Sequence, residues 1–145
     1  MTPFDQLPTL EERFGPFVHM GRDEVEIWKR FLLNGGDSFA PFKYDIRVGE
    51  GIKMPEGSSP LSISIAWLNT TKRIDALSTS FGQVTLFEVK VRAGASVIGQ
   101  LLTYRTLYHS TFNYNGRINL WVITDRLQPD MTAPLEIASI HWQEV

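Results

Sequence analysis

Asp75, Glu88 and Lys90 are the residues of this 145-residue chain best suited to chemistry. They lie in two segments, Lys72-Arg73-Ile74-Asp75-Ala76-Leu77 and Val84-Thr85-Leu86-Phe87-Glu88-Val89-Lys90-Val91, that read as strands. Side chains alternate along a strand, so Glu88 and Lys90 share one face while Phe87, Val89 and Val91 take the other. The polar break Ser78-Thr79-Ser80-Phe81-Gly82-Gln83 predicts a hairpin. With its loop at Ser80 to Gln83, Thr79 pairs with Val84, and counting back sets Asp75 opposite Glu88. Facing carboxylates repel. A fold tolerates them when a cation sits between, so this pair has the character of a metal site.

The surrounding elements must hold that pair. Asp23 to Leu33 reads as a helix, with Asp23 and Glu26 spaced as a capping box and Asn34-Gly35-Gly36 as its stop. Its buried stripe is Ile27, Trp28, Phe31 and Leu32. Glu24 lies one turn below Trp28 at the edge of that stripe, which makes it a candidate third acid. Phe42 to Val48 alternates as a first strand, and Gly49 to Pro60 has a loop composition. Leu61 to Leu68 alternates again and reads as a strand. Beyond Lys90, Ser96 suits the N-cap of a helix from Val97 to about Ser110. Gln100 and Tyr104 stack on one face of it. The apolar run Ile118 to Thr124 suits a buried, parallel strand, and Leu135 to Trp142 a last strand or edge segment. The four tryptophans, Trp28, Trp67, Trp121 and Trp142, fall in these patterns and read as core.

Composition narrows the function classes. The length fits one domain with a real core. No cysteine is present, so thiolate metal sites and disulfides are excluded. The net charge of −2 gives no global basic field, so nucleic-acid binding requires a local patch. No apolar run reaches the roughly 18 residues of a membrane span and no signal peptide is visible, so neither membrane insertion nor secretion is expected. His19, His109 and His141 are dispersed without ligand spacing. Neither a glycine-rich phosphate loop nor a G-x-S-x-G elbow occurs. Residues 1 to 21 carry Pro3, Pro8, Pro16, Phe4, Phe14 and Phe17 and read as an extended N-terminal arm. It either packs on its own domain, residues 22 to 145, or docks on another chain.

The order helix, three strands, helix, strand (αβββαβ), with Asp on the second strand and Glu-x-Lys on the third, resembles the PD-(D/E)XK nuclease superfamily over roughly residues 22 to 124. Asp75 matches the motif aspartate, Glu88 and Lys90 match the (D/E)-x-K pair, and Gln100 and Tyr104 match a Gln-x-x-x-Tyr helix of the RecB-like branches. Ile74 stands where the motif has its proline. The resemblance implies an α/β (α+β) restriction-endonuclease-like core, with a mixed sheet flanked by helices. It also implies a nuclease that hydrolyses DNA with Mg²⁺ or Mn²⁺. Asp75, Glu88 and the Val89 carbonyl would hold the metal. Lys90 would position water or stabilise the transition state, and Gln100 and Tyr104 would hold phosphate, water or base. Arg73, Arg92 and Arg105 are expected to meet flanking phosphates.

Residues 88 to 104 also resemble small proteins of tailed bacteriophages and prophages. That implies a host-cytoplasmic or virion location. It also supplies an alternative, a non-catalytic neck or tail adaptor that docks on other particle proteins through residues 1 to 21. A homo-oligomer fits either reading, a junction- or repair-type nuclease working as a dimer in the first and an adaptor forming rings in the second.

Overall fold

The computed structural model describes residues 8–17 and 19–145. Pro3 and Phe4 of the expected arm lie outside them. Five strands form one mixed sheet in the order β1-β2-β3-β4-β5: β1 (Phe42–Val48), β2 (Lys72–Ser78), β3 (Val84–Ala93), β4 (Ile118–Leu127) and β5 (Ile140–Glu144). Strand β2 runs antiparallel to both of its neighbours, β1 and β3, whereas β3, β4 and β5 run parallel. Helix α4 (Ser96–Thr111) makes the crossover from β3 to β4, and the short α5 (Thr132–Ile137) the one from β4 to β5. The expected order αβββαβ is present, within a mixed sheet covered by helices.

Strand alternation decides what each face of the sheet buries. On one side Leu77, Leu86, Leu120 and Val122 meet Val97, Leu101 and Tyr104 of α4. On the other, Ala76, Phe87, Val89 and Ile123 meet Ile27, Trp28, Phe31 and Leu32 of α2 (Arg22–Leu33). That stripe of α2 is the one its sequence periodicity predicts. Trp28 is fully buried, with its ring 5.0 Å from Phe42 and 5.4 Å from Phe87. Its indole N–H donates to the Tyr44 hydroxyl at 3.1 Å. Trp28→Ala is expected to cost about 3–5 kcal/mol, because it opens a cavity and leaves that hydroxyl without its donor. Urea unfolding monitored by circular dichroism measures this.

Four sequence expectations change. Leu61 to Leu68 belongs to a helix, α3 (Pro60–Thr70), and lies outside the sheet. Ser59 accepts from the Ser62 N–H at 3.1 Å as N-cap, and Pro60 takes the first helical position, where its missing N–H is harmless. This start signal outweighs the alternating Ser and Ile. Trp67 is accordingly 42% exposed rather than core. Residues 135 to 142 divide between α5 and β5. Helix α2 begins one residue before Asp23, and Glu24, rather than Glu26, reaches back to accept from the Gly21 N–H at 3.0 Å. Finally, Leu10–Phe14 of the expected extended arm form a short helix, α1, capped by Thr9 and Glu12. Phe17 is buried against the α2 face, so this part of the N-terminal segment packs on its own domain.

Candidate active site

The sheet opens at one place. The β2–β3 pairs run Ser78 with Thr85, Leu77 with Leu86 and Ala76 with Phe87, and then stop. That register, continued one step, is the expected one: Asp75 faces Glu88. The β1–β2 ladder skips the same level, because Asp45 has a left-handed backbone (φ 54°) in mid-strand. Beyond Ala76 the strands part. The Asp75 carboxylate fills the gap in the ladder and accepts from the Val89 N–H at 2.8 Å. A cleft of about 310 Å³ occupies the opening, and Asp75, Glu88, Lys90 and Tyr104 all line it.

The electrostatics are those of a carboxylate pair out of water. Glu88 is 4% exposed and its Oε2 is buried without a hydrogen-bond partner. Its Oε1 lies 3.6 Å from the Lys90 ammonium. Burial raises the Glu88 carboxyl to about 9, Asp75 adds to the rise, and Lys90 opposes it. Burial likewise raises Asp75, to about 6, against the lowering effect of the Val89 N–H. Their titrations are linked, and burial favours a bound proton on the pair. Tyr104, 7% exposed, has its hydroxyl pushed up by burial first and then by both carboxylates, so it stays protonated and able to donate.

These donors fit a hard divalent cation. Two facing carboxylates with an orphaned buried oxygen are what such an ion would relieve. Among the described residues no group of three His, Asp or Glu side chains converges. Waters and the Val89 carbonyl would therefore complete the set, as suits Mg²⁺, which keeps much of its hydration. Glu24 also lines the cleft, but its Oε2 is engaged in capping α2.

The other expected residues divide. Gln100 lines a neighbouring depression that shares Lys72 and Tyr104 with the cleft, and its Oε1 is likewise buried and unpartnered. Arg73 lines the cleft itself. Arg92 and Arg105 do not: Arg92 is exposed beside Arg126 of β4, and Arg105 lines a separate depression with Arg117.

Two cleft residues escape sequence reasoning. His19 stands 3.1 Å from Asp45 through Nε2 and 3.3 Å from the Arg73 guanidinium through Nδ1. Arg73 is also 3.6 Å from Asp45 Oδ1. Alternation along β1 gave Asp45 only as one more polar strand residue. No local signal connected His19 with it across 26 residues.

No protein-family model matches this chain, and neither does any curated protein. Solved structures do match. A repair endonuclease from Pyrococcus abyssi superposes with a TM-score of 0.51 at 13% identity, over 87% of this chain and 48% of that one. A protein of unknown function gives 0.51 at 11% identity, over 82% and 56%. At these identities the likeness shows a shared fold, the restriction-endonuclease-like core that the sequence resemblance implies. A third structure, an EndoMS–dsDNA complex, gives 0.47 at 13% identity, over 83% and 44%. The chain thus spans about half the length of these proteins. The residues that the sequence resemblance singles out lie on neighbouring strands of this fold, Asp75 on β2 and Glu88 and Lys90 on β3.

Proposed function

We propose that the protein is a metal-dependent nuclease that hydrolyses phosphodiester bonds of DNA at the Asp75–Glu88–Lys90 cleft. One observation carries the reading. The fold buries the Glu88 carboxylate, with an orphaned oxygen, facing the half-buried Asp75 carboxylate and beside a lysine, where stability alone would favour apolar side chains. A non-catalytic adaptor has no use for that arrangement.

Asp75, Glu88 and the Val89 carbonyl would hold Mg²⁺ or Mn²⁺. When bound, that ion acidifies water and polarises the scissile phosphate. The remaining work falls to the chain. Lys90 orients the attacking water and meets the negative charge that grows on the phosphate oxygens. Protonated Tyr104 donates to the same phosphate or its neighbour, and Gln100 extends that donor row along α4. Arg73 is held by His19 and Asp45 at the cleft wall and anchors a flanking phosphate. Residue 19 thereby draws the N-terminal segment into the substrate site.

The cleavage experiment uses plasmid and single-stranded DNA with Mg²⁺, Mn²⁺ or EDTA. Metal-dependent hydrolysis is expected, and none by the folded, metal-loaded protein would defeat the proposal. Within the same reading, Arg73→Ala should raise KM on the order of tenfold with kcat changed much less, since it removes a contact shared by ground and transition states. His19→Asn should show a milder version of that split. Steady-state kinetics on a labelled duplex decides both.

A further inference from the structure

Helix α3 is the feature of this fold that neither the core nor the cleft explains. Leu61, Ile63, Ile65, Trp67 and Leu68 are between 42% and 70% exposed, and none of its residues is buried. Ile52, in the loop before it, is 61% exposed. The helix is tethered at its end. Arg47 donates to the Leu68 carbonyl at 2.7 Å and lies 5.5 Å over the Trp67 ring, and Thr70 accepts from the Ile52 N–H at 2.7 Å. Its apolar body faces solvent.

We propose that α3 and the Ile52 loop form a two-fold interface with a second copy of this chain. Five large apolar side chains standing in solvent on one eleven-residue helix mark a surface that other protein covers. Large side chains of 150–250 Å² at these exposures offer on the order of 600 Å², most of the ~800 Å² each partner gives a stable interface. No charged residue lies between Glu56 and Lys72. Two such patches therefore meet without like-charge repulsion, as a self-complementary contact requires. A different partner would be selected by complementary charge, which α3 lacks, and the Ile52 loop beside it carries charges of both signs, Lys53 against Glu50 and Glu56. A lipid surface is disfavoured too, because membrane-surface helices carry a basic face and α3 has no Lys or Arg.

The helix runs directly into Thr71, Lys72 and Arg73 of the cleft wall. Pairing through α3 brings two cleft mouths together, one for each strand of a duplex. That consequence rests on the nuclease reading, whereas the interface itself does not.

Sedimentation equilibrium of the purified chain at 1–100 µM tests it. The wild type should sediment at twice its 16.5 kDa mass. Ile63→Glu and Trp67→Glu should each weaken dimerisation at least tenfold. Both sites are exposed in the single chain, so circular dichroism should match the wild type, and the melting temperature should lose its rise with protein concentration. A monomeric wild type at 100 µM overturns the proposal, as do folded variants that dimerise as tightly as the parent. Neither result depends on whether DNA is cut.

Discussion

Lys90→Ala is expected to lower kcat for DNA hydrolysis on the order of 10²–10³-fold, the usual loss when a donor aimed at developing charge is removed. The fold should survive, since the Lys90 side chain is one-third exposed and, among the described residues, its one ion-pair partner is Glu88. Cation affinity should fall by a smaller factor. The ammonium is one of the influences that lowers the Glu88 carboxyl, so without it Glu88 holds its proton more tightly and the metal competes less well. Single-turnover rates at saturating Mn²⁺ separate the two effects. An unchanged rate would remove Lys90 from the chemistry and leave the Glu88 ion pair as an ordinary strand-face contact.

In EDTA, Glu88→Gln is expected to stabilise the protein at pH 8 by about 2–3 kcal/mol, or roughly 5–10 °C in melting temperature. Both carboxyls are raised in the folded state, to about 6 for Asp75 and about 9 for Glu88, from ordinary values near 4. The folded protein therefore binds protons more tightly than the unfolded chain. Metal-free stability is greatest below about pH 4 as far as this pair is concerned, and it declines as pH rises through 6 to 9. Glutamine keeps the shape and removes the charge, so the decline should flatten. Divalent metal reverses the sign for the wild type, because it binds the deprotonated pair and stabilises the native state increasingly with pH. The variant should gain little from metal. Calorimetric melting from pH 5 to 9.5, with EDTA and then with Mn²⁺, gives all four curves. A wild type whose metal-free stability is flat over that range would mean that the pair is solvated and not coupled.

The arrangement of Asp75 against Glu88 was legible because a strand has a strict period of two and the hairpin loop leaves little choice of register. Two residues known to share a face then fix the rest by counting. The stripe of α2 was legible for the same kind of reason, its apolar residues recurring at helical spacing on one side. Helix α3 was not. Its alternating Ser and Ile satisfy the strand pattern, and the deciding signal was two residues long, Ser59 as N-cap and Pro60 behind it. The burial expected for Trp67 failed with it. Asp45 and His19 were illegible for a different reason. Their part in the cleft comes from a left-handed kink in β1 and from the path of the N-terminal segment, which are tertiary facts. Arg92 and Arg105 offer themselves in the sequence as further cations for flanking phosphates. The parallel crossover through α4 instead turns Arg105 toward Arg117, away from the cleft.

The most direct measurement is the rate at which the wild type and Glu88→Gln hydrolyse a labelled duplex as Mn²⁺ is raised from zero in metal-depleted buffer. A saturable rise from no activity in the wild type, absent in the folded variant, is the result expected of a cation lodged between Asp75 and Glu88. Cleavage that needs no metal, equal activation of both proteins, or no cleavage by a wild type shown to bind Mn²⁺ would contradict it.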